Sequence, residues 1–136
     1  MAQVTYSNEF LFGRFVTSLD AEVRPMVREA IEVVLKRPSV GGRWLKEFPH
    51  AIHQVRLGPT RRHVRYLISP AYPTQPDDRV ELLLRIYCHK NDGDWIVLSG
   101  FDKAADRSRT NQQREFENAI AELTAFKARQ RMGFDT

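Results

Sequence analysis

Residues 79–103 read RVELLLRIYCHKNDGDWIVLSGFDK, and their alternation decides the fold. Val80, Leu82, Leu84, Ile86 and Cys88 alternate with Glu81, Leu83, Arg85, Tyr87 and His89. An extended chain sends successive side chains to opposite faces. One face of this strand is therefore apolar and is expected to meet a core. The other aligns a guanidinium, a phenol and an imidazole: Arg85, Tyr87 and His89. Asn91-Asp92-Gly93-Asp94 is turn chemistry, because Asn and Asp tolerate left-handed backbone and Gly adopts it without steric cost. Residues 95–101 return as a second apolar strand, ending in Gly100-Phe101-Asp102-Lys103.

Upstream, Val4-Thr5-Tyr6 is a short strand candidate. Ser7 or Asn8 caps a helix over 9–18, with Phe12, Phe15, Val16 and Leu19 at helical spacing. Asp20 caps a second helix running through Arg37, whose stripe is Val23, Met26, Val27, Ala30, Ile31, Val34 and Leu35. Pro25 falls in its first turn, where N–H groups are free anyway; Pro38 ends it and Gly41-Gly42 break the chain. Residues 42–49 read as an irregular connector, with Trp44, Leu45 and Phe48 plugging the core edge. Residues 52–57 read as a strand, Gly58-Pro59-Thr60 as a turn, and residues 61–69 as a further strand, with Val64, Tyr66 and Ile68 opposite His63, Arg65 and Leu67. The prolines of residues 70–78 exclude a central strand and give an exposed excursion. A last helix is capped by Thr110 with Gln113, and buries Phe116, Ala119, Ile120, Leu123 and Phe126. Arg107, Arg109, Arg114, Lys127, Arg129 and Arg131 make this end basic, and residues 133–136 are expected to fray.

These elements give an α+β class: a twisted, mostly antiparallel sheet with two N-terminal helices and one C-terminal helix, as a single domain over 1–136. One sheet face packs on helices. The other, bearing Arg56, His63, Arg65, Arg85, Tyr87 and His89, is expected to lie open.

The 136 residues suffice for a core, and 42% hydrophobic with 28% charged residues excludes a disordered chain. The formal net charge of +4 favours a polyanionic or acidic partner. One cysteine, Cys88, allows no internal disulfide and no thiolate metal cluster, which points to a reducing, cytoplasmic setting. No run is long enough to span a membrane and no secretory leader is evident. The spacing of His50, His53 and His63 matches no zinc motif, so no metal or other cofactor is expected.

The cationic face suits RNA cleavage without a metal. A 2′-hydroxyl attack needs a base, an acid and cations around phosphorus. Histidine titrates in the right range, arginine grips phosphate bidentately, and tyrosine stacks on bases or donates a hydrogen bond. Arg85, Tyr87 and His89, with His63 and Arg65 beside them, supply each part. Residue types alone leave a second reading open, since the outer face of a sheet is ordinarily polar and solvated. The basic last helix is open to the same two readings.

Three stretches carry a family resemblance: VTYSNEF…FVTSLDAEVRPMVREAIEVVLKRPSVGGRWLKEF, HQVRLG…RRHVRYLIS, and WIVLSGFDK before a helix. Together they resemble the RelE/ParE superfamily of bacterial toxins, most closely its HigB-like, phage-derived branch. The resemblance spans roughly residues 4–126, with the order of elements carrying more of it than any one motif. It implies ribosome-dependent mRNA cleavage, restraint by a small antitoxin from the same operon, and contact with operator DNA only through the toxin–antitoxin complex. It equates the family's Tyr-Arg-Val-Arg-Tyr strand with residues 62–66, so His63 takes an arginine position and Arg65 keeps its counterpart. It places phosphate-binding roles on Arg56 and on Lys103 after Gly-Phe; the basic end of the last helix adds Arg107 and Arg109 as candidate RNA contacts. The superfamily also contains gyrase-poisoning members without nuclease activity, and a degenerate relative would keep the cationic face only for binding.

Overall fold

The computed structural model describes residues 2–37 and 42–133. The expected stop at Pro38, the Gly41 half of the break, and residues 134–136 of the tail lie outside them.

The hairpin forms, but its first strand begins at Leu84 rather than Val80, and Val80 is exposed instead of meeting the core. Strands β4 (Leu84–Asn91) and β5 (Asp94–Asp102) pair antiparallel, and Asn91 faces Asp94 across the turn. Asp92 and Gly93 both take positive φ, 52° and 88°, which matches the twist of the flanking strands. The full sheet has five strands in the order β1-β5-β4-β3-β2, where β1 is Val4–Tyr6, β2 is Leu45–Phe48 and β3 is Ile52–Leu57. Only β1–β5 is parallel. The architecture is thus α+β with a mixed, open sheet.

Helices α1 (Glu9–Thr17) and α2 (Arg24–Lys36) pack on one face, as their stripes require. Asn8 caps α1, its Oδ1 accepting from Leu11 N. Asp20 does not cap α2 through its side chain. Its carbonyl accepts from Val23 and Arg24 in a preceding turn, which frees the carboxylate for an arginine. Phe12, Val27, Ile31, Val55, Leu57, Leu84, Ile86, Cys88 and Val97 close this core.

Two expected elements differ. Residues 42–49 hold a 3-10 turn, Gly42–Trp44, followed by β2 rather than an irregular plug. Residues 61–69 are not a strand: Arg61–Ile68 forms helix α3, capped by Thr60, whose hydroxyl accepts from His63 N. Its inward side consists of Arg61, Val64 and Arg65, spaced at helical intervals.

The second sheet face is not open along its length. Helix α4 (Arg109–Arg131) lies on it, and Ala119, Leu123 and Phe126 pack with Ile52, Tyr87, Ile96, Leu98 and Phe101. Its cap is Ser108, whose Oγ accepts from Asn111 N, rather than Thr110, and Gln113 bonds Glu117 instead of closing a capping box. A register slip in the hairpin serves this second core. Tyr87 faces Ser99, but Cys88 faces Val97, so Leu98 is the extra residue of a bulge. That residue sets Gly100 under the Phe15 ring of α1 and turns Phe101 toward α4.

No helix among the described residues is long and apolar enough to cross a membrane.

Candidate functional site

The end of the second face that α4 leaves uncovered carries a group of cations. Arg56 of β3 lies directly across from Arg85 of β4. Like charges in that position repel, and among the described residues no ion pair engages either of them. Instead Arg56 Nε donates to Gln54 Oε1 at 3.1 Å, and Arg85 Nη1 donates to Leu84 O at 3.0 Å. Arg43 joins them around a hollow of about 170 Å³ floored by Gly58, Pro59 and Leu83. Lys103 follows β5, its backbone N–H tied to Leu83 O at 2.8 Å.

Charge and burial act on one another here. Burial holds the Arg85 guanidinium below its ordinary pKa, with Arg56 adding repulsion. Burial likewise lowers Lys103, and Arg85, Arg56, Arg107 and Lys46 all push the same way. An ammonium disfavoured by burial and by four neighbouring cations is a group that welcomes an anion.

Of the residues expected at the site, Arg56, Arg85 and Lys103 are brought together. Tyr87 adjoins them but does not face outward: it is 1% exposed, under α4. Burying a ring of this size contributes roughly 1.5–3 kcal/mol, and Gln54 satisfies its hydroxyl, so burial outweighs solvation. Burial also raises the phenol's pKa. His89 is buried too, one ring nitrogen 3.0 Å from Ala51 O at the far end of the strand.

His63 and Arg65 leave the sheet altogether, because the segment carrying them is helical. His63 is exposed on α3, its Nδ1 2.6 Å from Thr60 Oγ1. Arg65 is a structural cation, 4% exposed, with Nη1 2.6 Å from Asp77 and 2.8 Å from Asp78. Arg61 beside it bonds Asp20 at 2.6 Å and Asp77 at 2.8 Å. The arginines hold the Asp77 carboxyl far below the usual carboxylate range, while the Gln75 N–H, aided by Arg65, lowers Asp78. Neither residue faces the cation group. Arg107 pairs with Glu81, and Arg109 opens α4 beside a separate cleft.

That cleft, about 380 Å³, lies between β2 and the start of α4, with Phe48, Tyr87, Phe116, Arg109, Gln112 and Gln113 around it. Lys46 joins the two regions. Its Nζ sits 5.2 Å over the Phe48 ring and its charge acts on Lys103. Reading residues 42–49 as a connector concealed Lys46 and gave Phe48 only a place at the core edge. The period-two spacing of the two, beside a strand, was the available signal.

Among the described residues no cluster of His, Cys, Asp or Glu is suited to holding a metal ion. Comparison of the chain with protein-family models and with curated proteins gives no match.

Proposed function

We propose that this protein is a RelE-like toxin acting on RNA, whose working surface is the group Arg56, Arg85 and Lys103 with Lys46 and Arg43. The observation that carries the reading is a set of cations held together without carboxylate partners at the uncovered end of the sheet. Such a set is costly unless an anion occupies it. The order of strand, two helices, two antiparallel strand pairs and a helix after Gly-Phe-Asp-Lys is compatible with the family resemblance, while helix α3 stands where the resemblance expected a strand at residues 62–66.

Metal-free cleavage on this surface takes a different form from one built on histidines. Arg56 and Arg85 hold the phosphate oxygens and offset the charge that develops on phosphorus. The 2′ oxygen attacks phosphorus, its proton passing to water, while the Lys103 ammonium helps offset the charge on phosphorus. The bond to the 5′ oxygen breaks, leaving a 2′,3′-cyclic phosphate, and the 5′ oxygen takes its proton from water. A small antitoxin would silence the protein by covering these cations, and operator DNA would be met only through that complex.

The absence of any histidine from the group favours a second reading, a module that binds RNA without cutting it. Controlled expression with mapping of mRNA 5′ ends separates the two. New ends that vanish with Arg56→Ala plus Arg85→Ala are the expected result. Growth arrest with intact message overturns the nuclease reading, and unimpeded growth with RNA still bound establishes the module.

A further inference from the structure

The cleft beside the cations has walls that no phosphate needs. Phe48 and Phe116 lie 5.4 Å apart between ring centroids, and each stands 5.8 Å from Tyr87. Tyr87 is in turn stacked on Phe101 at 6.0 Å, so the floor is fixed from below. Phe48 and Phe116 are only partly buried, and their rings border open space. Gln112 and Gln113, one turn before Phe116, bring side-chain amides to the rim, each nitrogen donating one N–H within the protein, to Arg107 O and Glu117 Oε1, and keeping a second, and Arg109 brings a guanidinium.

We propose that this cleft is a subsite for one unstacked nucleobase of single-stranded RNA. The inference rests on the RNA-binding reading above and deepens it. Three features select a base over an apolar side chain. Aromatic rings give flat stacking surfaces for any base. Amides and a guanidinium match the hydrogen-bonding edges of a base, which an aliphatic group lacks. The flanking groups are cationic on both sides: Lys46 over Phe48, Arg109 on α4, and the Arg56–Arg85 pair one step along the sheet from Gln54 and Tyr87. Two residues along a strand is about 7 Å, a spacing over which a nucleotide presents base and phosphate to two different sites.

The test uses the full chain and short 2′-O-methyl single strands, which cannot be cut through the 2′ oxygen. One strand is intact, and others carry an abasic sugar at one position each. Binding is read by fluorescence anisotropy at low salt. One abasic position is expected to weaken binding roughly 5- to 150-fold, the range found for base–aromatic stacking. Phe116→Leu, which keeps apolar volume but removes the ring face, should weaken the intact strand similarly and leave the abasic strand unchanged. Phe48→Leu provides the same comparison if Phe116→Leu does not fold. Binding that depends on Arg56 and Arg85 but ignores every abasic position overturns the subsite and leaves the phosphate-binding reading standing. An abasic penalty that persists undiminished in both ring variants also overturns it. If no strand binds, both readings fall together.

Discussion

Arg65 and Lys103 show how one type of charge serves opposite ends. Arg65 is enclosed by Asp77 and Asp78, and breaking such an enclosure leaves uncompensated carboxylates. Arg65→Ala is expected to cost about 3 kcal/mol, the lower end for a buried pair because Arg61 still holds Asp77. The urea midpoint reads this loss, while RNA binding stays intact. The pH dependence has a definite sign. The carboxyls of Asp77 and Asp78 are depressed in the folded state, so the stability they supply is present above the ordinary carboxylate range. It drains away as pH falls toward their folded values, and that acid-side loss should be shallower in Arg65→Ala. Lys103 behaves inversely. Its folded pKa is lowered, so the folded state is penalised while the amine is charged and gains stability as pH rises through that value. Lys103→Gln should therefore stabilise the protein at neutral pH by about 0.5–1 kcal/mol, less at high salt, while weakening RNA binding. Thermal melts across a salt series check it; a variant that is destabilised and binds normally would remove Lys103 from the site.

Two glycines control how elements seat against one another, and they differ in what a methyl group would strike. At Gly58, φ is +154° and an added Cβ would fall 2.0 Å from the backbone oxygen of Leu82. At Gly100 it would meet the half-buried Phe15 ring at 2.5 Å. A backbone oxygen cannot turn aside, whereas a ring can. Gly58→Ala should cost about 2–4 kcal/mol and Gly100→Ala about 1–2 kcal/mol. Pairing Gly100→Ala with Phe15→Leu should recover part of the smaller loss, and chemical denaturation of the set tests the order. The hairpin was legible from sequence because its alternation and its Asp-Gly turn agree. So were α1 and α2, whose stripes are written in apolar residues. Helix α3 was not legible, because two of the three residues on its inward side are arginines. Arg61, Val64 and Arg65 follow helical spacing, yet hydrophobicity registers only Val64, and Val64, Tyr66 and Ile68 then imitate a strand. The carboxylates that make buried arginines tolerable lie in the excursion, at Asp77 and Asp78, where no local pattern links them to α3. The candidate site was half legible for a related reason. Parity put Arg85 and Tyr87 on one face correctly, but it carries no information about which helix later covers that face.

At the scale of the whole molecule, the modest net charge of +4 understates how unevenly charge is placed. Arg61 and Arg65 are neutralised internally, Arg107 is paired with Glu81, and Arg28 with Glu9. Among the described residues, Arg43, Lys46, Arg56, Arg85 and Lys103 have no ion-pair partner and gather at one end of the sheet, between the 3-10 turn, β2, β3, β4 and the chain after β5. A polyanion bound there releases counterions in proportion to the phosphates it brings, and single strands contribute a salt slope of roughly 0.7 per contact. Replacing Arg56, Arg85 and Lys103 together with glutamine should therefore flatten the slope of log affinity against log salt by about 2. Replacing Arg61 and Arg107, equally basic but already paired, should leave it unchanged. Titrations of a labelled single-stranded RNA at several salt concentrations measure both slopes. A flattening from the second set in proportion to its two charges, about 1.4, would mean that RNA responds to total charge, and the end of the sheet would then have no special claim as the site.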